Sequence, residues 1–100
     1  MIFNAKLKEL REERHFTQRQ IASMLNIDVA MYNRFEKGER KMKRDLVIQL
    51  ANYYKVPEEE LLKCWLAGQV YTLLSNEDCA KDVISMVAED TPLYNKTKRV

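Results

Sequence analysis

Apolar residues recur at three- and four-residue intervals along most of this chain, and the rhythm breaks where turn-forming residues stand. Over residues 3–14 (FNAKLKELREER), Phe3, Leu7 and Leu10 fall on one helical face, with Lys and Glu on the others. His15 and Phe16 interrupt that pattern. Thr17-Gln18-Arg19-Gln20 then fits a capping box, in which Thr17 and Gln20 satisfy each other's orphan backbone donors. A short helix over 18–25 is predicted to follow, burying Ile21, Ala22 and Leu25. Asn26 tolerates the left-handed backbone of a sharp helix exit. Asp28 can N-cap a third helix to about Lys37, with Ile27, Met31 and Phe35 facing in, and Gly38 ends it.

Glu39 to Arg44 reads as a basic loop, and residues 44–54 as a fourth helix with Leu46, Leu50 and Tyr54 inward and Val47 and Ala51 alongside. Lys55-Val56-Pro57 breaks the pattern. Pro57 followed by Glu58, Glu59 and Glu60 favours a helix start, because Pro needs no N–H there and acids suit the positive helix end. This fifth helix, to about Leu74, carries Leu61, Leu62, Trp65, Leu66, Val70, Tyr71 and Leu73. Ser75 to Asp78 offers a further cap, for a sixth helix over about 77–89 with Ala80, Val83, Ile84 and Val87 on one side. Thr91 onward reads as a flexible tail over 91–100.

The pattern is helical throughout. Two Gly and two Pro in one hundred residues are too few for the many tight turns of an all-β chain. One hundred residues suit one domain with one modest core. No long apolar run or leader-like N-terminus is present, so a soluble cytoplasmic protein, without membrane contact, is expected. Cys64 and Cys79 stand far from any metal-ligand pattern and read as reduced thiols. No cofactor or metal is expected. Catalysis is not expected either: His15, the sole histidine, has no Ser, Cys or carboxylate at catalytic spacing, and no Gly-rich phosphate loop exists.

Charge adds a direction. Residues 1–55 hold twelve Lys/Arg against seven Asp/Glu, residues 56–95 two against eight, and the last five residues three bases and no acid. A basic N-terminal half suits a polyanionic partner, which the acidic half would repel. The alternative is a solvated charge pattern without function.

Two short helices joined by a tight turn, over 18–37, make a helix-turn-helix, with small Ala22 where the helices cross and Asn26 in the turn. The combination Leu10-Arg11, Thr17-Gln18, Ile21-Ala22 and Phe35-Glu36-x-Gly38, with all four pieces in register, resembles the Xre/Cro-type (lambda-repressor-like) helix-turn-helix family. The similarity covers about residues 3–62. Asn26 stands where the family often has Gly, and Phe35 where Trp, Ile or Leu is usual.

The resemblance implies an all-α fold: a lambda-repressor-like five-helix DNA-binding domain over 1–74, with a C-terminal helical extension over 75–90. It also implies a bacterial or phage transcriptional regulator, a repressor or operon controller that reads a palindromic operator in double-stranded DNA as a homodimer. The recognition helix would be 28–37, with Val29, Ala30, Asn33 and Arg34 at the positions of the family's base readers. Asn33 can address adenine and Arg34 guanine, and Val29 and Ala30 thymine methyls. Gln18 matches a phosphate-binding glutamine at a helix N-terminus, with Arg19 beside it. Lys37, Arg40, Lys41, Lys43 and Arg44 would form a phosphate clamp, against the alternative of a merely solvated loop. Arg11 and Glu36 match a family pair that ties the first helix to the recognition helix. Thr17, Asn26, Asp28 and Gly38 are expected to orient these elements.

The fifth and sixth helices carry more apolar surface than one helix buries. Part of it would complete the core. Leu66, Val70, Leu73, Val83, Ile84 and Val87 would suit a two-fold interface. The competing reading is an antitoxin or adaptor that uses residues 61–100 to bind a partner protein. No separate effector-binding domain fits within this length, so occupancy of DNA would follow protein concentration.

Overall fold

The structure is a computed structural model describing residues 2–90. Six helices occupy that span: α1 (Ile2–Glu13), α2 (Gln18–Leu25), α3 (Val29–Lys37), α4 (Arg44–Tyr54), α5 (Glu58–Leu74) and α6 (Ala80–Asp90). The protein is all-α, with no strand among the described residues. The tail expected at 91–100 lies outside them.

Helix ends have local causes. α1 stops because His15 takes left-handed backbone (φ 59°), and the Phe16 N–H turns back to the Arg11 carbonyl at 3.1 Å. At Thr17 the capping box is formed, with Gln20 N–H on Thr17 Oγ1 at 3.1 Å and Thr17 N–H on Gln20 Oε1 at 2.8 Å. Asn26 closes α2 in left-handed backbone (φ 59°), its N–H reaching the Ala22 and Ser23 carbonyls. Gly38 closes α3 in the same way at φ 77°, the one place where a glycine relieves a left-handed turn. Lys55 (φ 59°) closes α4, with Val56 N–H on the Ala51 carbonyl at 3.0 Å.

Several expectations need correction. Asp28 stands at the N-cap of α3 in extended backbone, but its side chain makes no capping hydrogen bond. Its carbonyl accepts from Tyr32 N–H at 3.1 Å, so the residue contributes backbone placement and a negative charge near the positive helix end. In α3 Met31 packs against the core only partly buried, and Tyr32, not singled out from the sequence, is fully buried beside Phe35. Tyr32 and Glu36 share one edge of the helix, and the bond from Glu36 to α1 described below rotates that edge inward. In α4, Val47 and Ala51 are buried with Leu50 and Tyr54, while Leu46 is half-buried. α6 begins three positions later than expected, at Ala80 rather than Glu77. Tight turns hold Ser75 to Cys79, and Val83 N–H to the Cys79 carbonyl at 3.0 Å is the first helical bond.

The core gathers Leu7 and Leu10 of α1, Ile21, Ala22 and Leu25 of α2, Tyr32 and Phe35 of α3, the inner face of α4, and Leu61 and Trp65 of α5. α5 lies across α1 and α4, and α3 across α1 and α2. Gly68 lets α1 approach α5 closely: a Cβ there would stand 3.2 Å from Phe3 Cβ. Apart from that approach, packing thins beyond Trp65. Leu66, Val70 and Tyr71 are about half exposed and Leu73 is 77% exposed, and no residue of α6 is buried.

Candidate nucleic-acid interface

The geometry of the helix-turn-helix rests on one polar relay. Arg11 grips Glu36 with two bonds, Nε to Oε2 at 2.7 Å and Nη2 to Oε1 at 3.1 Å, and its Nη1 donates to the Phe16 carbonyl at 2.9 Å. Gln18 Nε2 donates to Glu36 Oε1 at 3.0 Å, and Asn33 Nδ2 donates to Gln18 Oε1 at 3.0 Å. The relay therefore runs from α1 through α3 and α2 back to the outer face of α3. The two ionic side chains are 12% and 4% exposed. Burial alone would raise the Glu36 carboxyl, but hydrogen bonds from Arg11 and the Gln18 amide outweigh it and hold the group below its ordinary range.

Two tyrosine hydroxyls, of Tyr32 and Tyr54, are buried near this cluster without a hydrogen-bond partner of proper geometry. Burial pushes both phenols up, reinforced by the negative charge of Glu36, Tyr54 to about 12. Arg14 steadies the same corner, over the Tyr54 ring at 4.9 Å and donating to the Tyr54 carbonyl at 3.2 Å.

The relay commits residues to which separate roles were assigned. Gln18, read as a phosphate ligand, and Asn33, read as a base reader, are bonded to each other. Each amide nitrogen still has a second hydrogen, and Asn33 keeps its carbonyl oxygen, so paired donor and acceptor recognition of adenine stays chemically open. Val29 packs partly against the core, whereas Ala30 and Arg34 are exposed. Arg19 and Lys37 are exposed as well.

After Gly38 the chain runs through the basic loop, where Arg40, Lys41, Lys43 and Arg44 are exposed and Met42 is buried. Met42 plugs the core at 1% exposure. Its carbonyl accepts the Trp65 indole N–H at 2.8 Å. Arg44 lies over the Trp65 ring at 5.3 Å and Lys41 Nζ reaches Gln69 Oε1 at 3.5 Å. α5 thus fastens a loop whose cations otherwise point outward. Sequence reasoning missed this anchoring, though Met42, the lone apolar residue within ERKMKR, was a signal for it. No helix among the described residues is long and apolar enough to cross a membrane.

Comparison with known proteins agrees with this geometry. Residues 7–61 match the helix-turn-helix family, a span from the middle of α1 to the first buried residue of α5. The chain is 34% identical over 61 residues to the cryptic phage CTXphi transcriptional repressor RstR of Vibrio cholerae, covering 61% of this chain and 55% of the repressor. It is 30% identical over 95 residues to the HTH-type transcriptional regulator ImmR of Bacillus subtilis (strain 168), covering 94% of this chain and 75% of the regulator. Among solved structures, a transcriptional regulator from Listeria innocua superposes with a TM-score of 0.56 at 28% identity, over 90% of this chain and 95% of its own. With its fold, its helix-turn-helix relay and the residues matched, the chain belongs to the Xre/Cro-type (lambda-repressor-like) helix-turn-helix family of DNA-binding transcriptional regulators.

Proposed function

We propose that this protein represses or otherwise controls an operon by binding palindromic operator DNA as a homodimer, with α3 in the major groove. The observation that carries the reading is the outward edge of α3, exposed Ala30 and Arg34 with half-buried Asn33, fixed in orientation by the Arg11–Glu36–Gln18–Asn33 relay and flanked by the anchored basic loop. Arg34 is suited to guanine, Asn33 to adenine, and Ala30 with the edge of Val29 to thymine methyls. Arg19, Lys37, Arg40, Lys41, Lys43 and Arg44 supply phosphate contacts, assisted by Gln18 at the N-terminal end of α2.

Dimerisation is supported by what the domain leaves uncovered. α6 has eleven residues, none buried, and a helix of that length is marginal in water by itself. Leu66, Val70 and Leu73 of α5 with Val83, Ile84 and Val87 of α6 form the interface of this proposal, which would set two α3 helices about one DNA turn apart. The same uncovered surface favours a second reading, an antitoxin or adaptor that uses residues 61–100, of which 61–90 are described, to bind a partner protein. Selection of bound sites from random duplex DNA, with sedimentation of the free protein, separates the two. A palindromic consensus and a dimer support the first. A protein that ignores DNA and aggregates without its neighbouring gene product supports the second.

A further inference from the structure

Between the first turn of α1, the loop after α3 and the second half of α5 lies a cleft of about 380 Å³, within the size range of small-molecule sites. Ile2, Phe3 and Trp65 form apolar walls, Gly68 lies between them, and Arg40 and Lys41 stand at the rim. Among the described residues no Asp or Glu lines the cleft. Arg40 has no ion-pair partner among the described residues, and Lys41 reaches only the uncharged Gln69 amide. Apolar walls beside two uncompensated cations fit a molecule with an apolar body and one negative end.

Other occupants fit less well. The basic last five residues of the chain have the wrong sign. The acidic α6 of a second copy has the right sign. However, eleven helical residues extend about 16 Å at about 10 Å diameter, far more than a cleft of about 380 Å³ holds. The geometry points to a binding site for a small amphipathic carboxylate, its acid held by Arg40 and Lys41 and its apolar body against Ile2, Phe3 and Trp65. Its consequence for DNA rests on the preceding proposal that Arg40 and Lys41 contact phosphates. An occupied cleft would then compete with the operator for both cations.

Trp65 is the only tryptophan in the chain and lines the cleft, so its emission reports occupancy without a label. The full chain, free of DNA, is titrated with decanoate and with decanol below the concentration at which decanoate forms micelles. The expected result is a saturable change in Trp65 emission, with decanoate binding at least tenfold more tightly than decanol. Arg40→Gln combined with Lys41→Gln should erase that preference and leave the thermal melt in place. No saturable response, equal affinity for acid and alcohol, or decanoate binding that vanishes as self-association rises would each overturn the site, the last by giving it to a second copy. Decanoate should also weaken operator binding about tenfold at fixed ionic strength, in step with the Trp65 signal. Occupancy without that weakening would remove Arg40 and Lys41 from the phosphate contacts and still uphold the anion site. A silent Trp65 with intact operator binding would remove the site and leave the DNA reading standing.

Discussion

The helix-turn-helix and the C-terminal extension solve opposite problems. In α2 and α3 the apolar groups are buried and the polar groups between helices are bonded to one another, so what remains outside is a row of cations and short polar side chains. In the second half of α5 and in α6 the apolar groups are outside, Leu73 at 77% exposure and Met86 at 63%, and no buried residue holds α6 to the domain. The first region is complete alone and offers charge. The second is incomplete alone and offers apolar surface. Substitutions should therefore sort by region: stability should fail in the first, and association in the second.

The largest effect is expected at Glu36. Glu36→Ala leaves the Arg11 guanidinium buried without its partner and frees Gln18 and Asn33 from the relay. Removing one member of a fully buried pair costs about 3–5 kcal/mol, and for this part-buried pair a loss at the lower end, about 3 kcal/mol, is expected, a large part of what a domain of this size possesses. A urea midpoint changed by less than half of that would show the relay to be peripheral. The same carboxyl gives a pH dependence. Its folded pKa lies below the ordinary 4.5, so its contribution is fully present above that value and is lost as pH falls through the depressed one. Glu36→Gln should flatten the acid limb of stability against pH, and an unaltered limb would assign acid unfolding to other carboxylates.

Next in size is a loss that leaves stability alone. The Arg34 side chain is exposed on α3 and makes no hydrogen bond or ion pair among the described residues. Arg34→Ala should change stability by no more than about 0.5 kcal/mol and cost about 1–3 kcal/mol of discrimination at one base pair of each half-site. Equal weakening on every DNA sequence would make Arg34 a phosphate ligand. Lys41→Ala with Lys43→Ala should weaken binding to all sequences and make the plot of log affinity against log salt shallower by about 1.8. An unchanged slope would take both lysines out of the DNA contacts.

The contrast between regions also explains what could be read from the residues alone. Helix order and most boundaries were legible because their causes are local: the Thr17–Gln20 box, Asn26, Gly38 and Pro57 each act within one turn of chain. Met31 does pack against the core, but the full burial of Tyr32 went unread because the rotation of α3 is set by Glu36 and a partner 25 residues away, which no periodicity in α3 reports. Asp28 was read as a side-chain cap from its type, yet its carbonyl and charge do the work and the carboxylate stays unbonded. The anchoring of the basic loop was hidden for a similar reason. Its bond joins Met42 to Trp65 across 23 residues, and only the isolated apolar residue in a cationic run hinted at it. Within the candidate interface, the family resemblance implied four reader positions, but not the tie between Asn33 and Gln18, since either amide could equally have faced solvent.

The smallest expected change in folding stability tests the other half of the contrast. Ile84 and Val87 are 50% and 56% exposed on a helix with no buried residue, so Ile84→Asp with Val87→Asp removes no contact with the core. Measured at a protein concentration low enough to populate monomer, unfolding of the α1–α5 core should move by about 0.5 kcal/mol or less. Two added acids on the surface proposed to meet a second copy should nevertheless convert the proposed dimer to monomer in sedimentation, because each would be desolvated against apolar surface. Operator affinity should fall with it, since a monomer reads a half-site and loses the linked second contact. A double variant that stays dimeric would move the interface off this face of α6. One that becomes monomeric while melting far earlier would show that α6 belongs to the domain core after all, and the division between a complete and an incomplete region would then disappear.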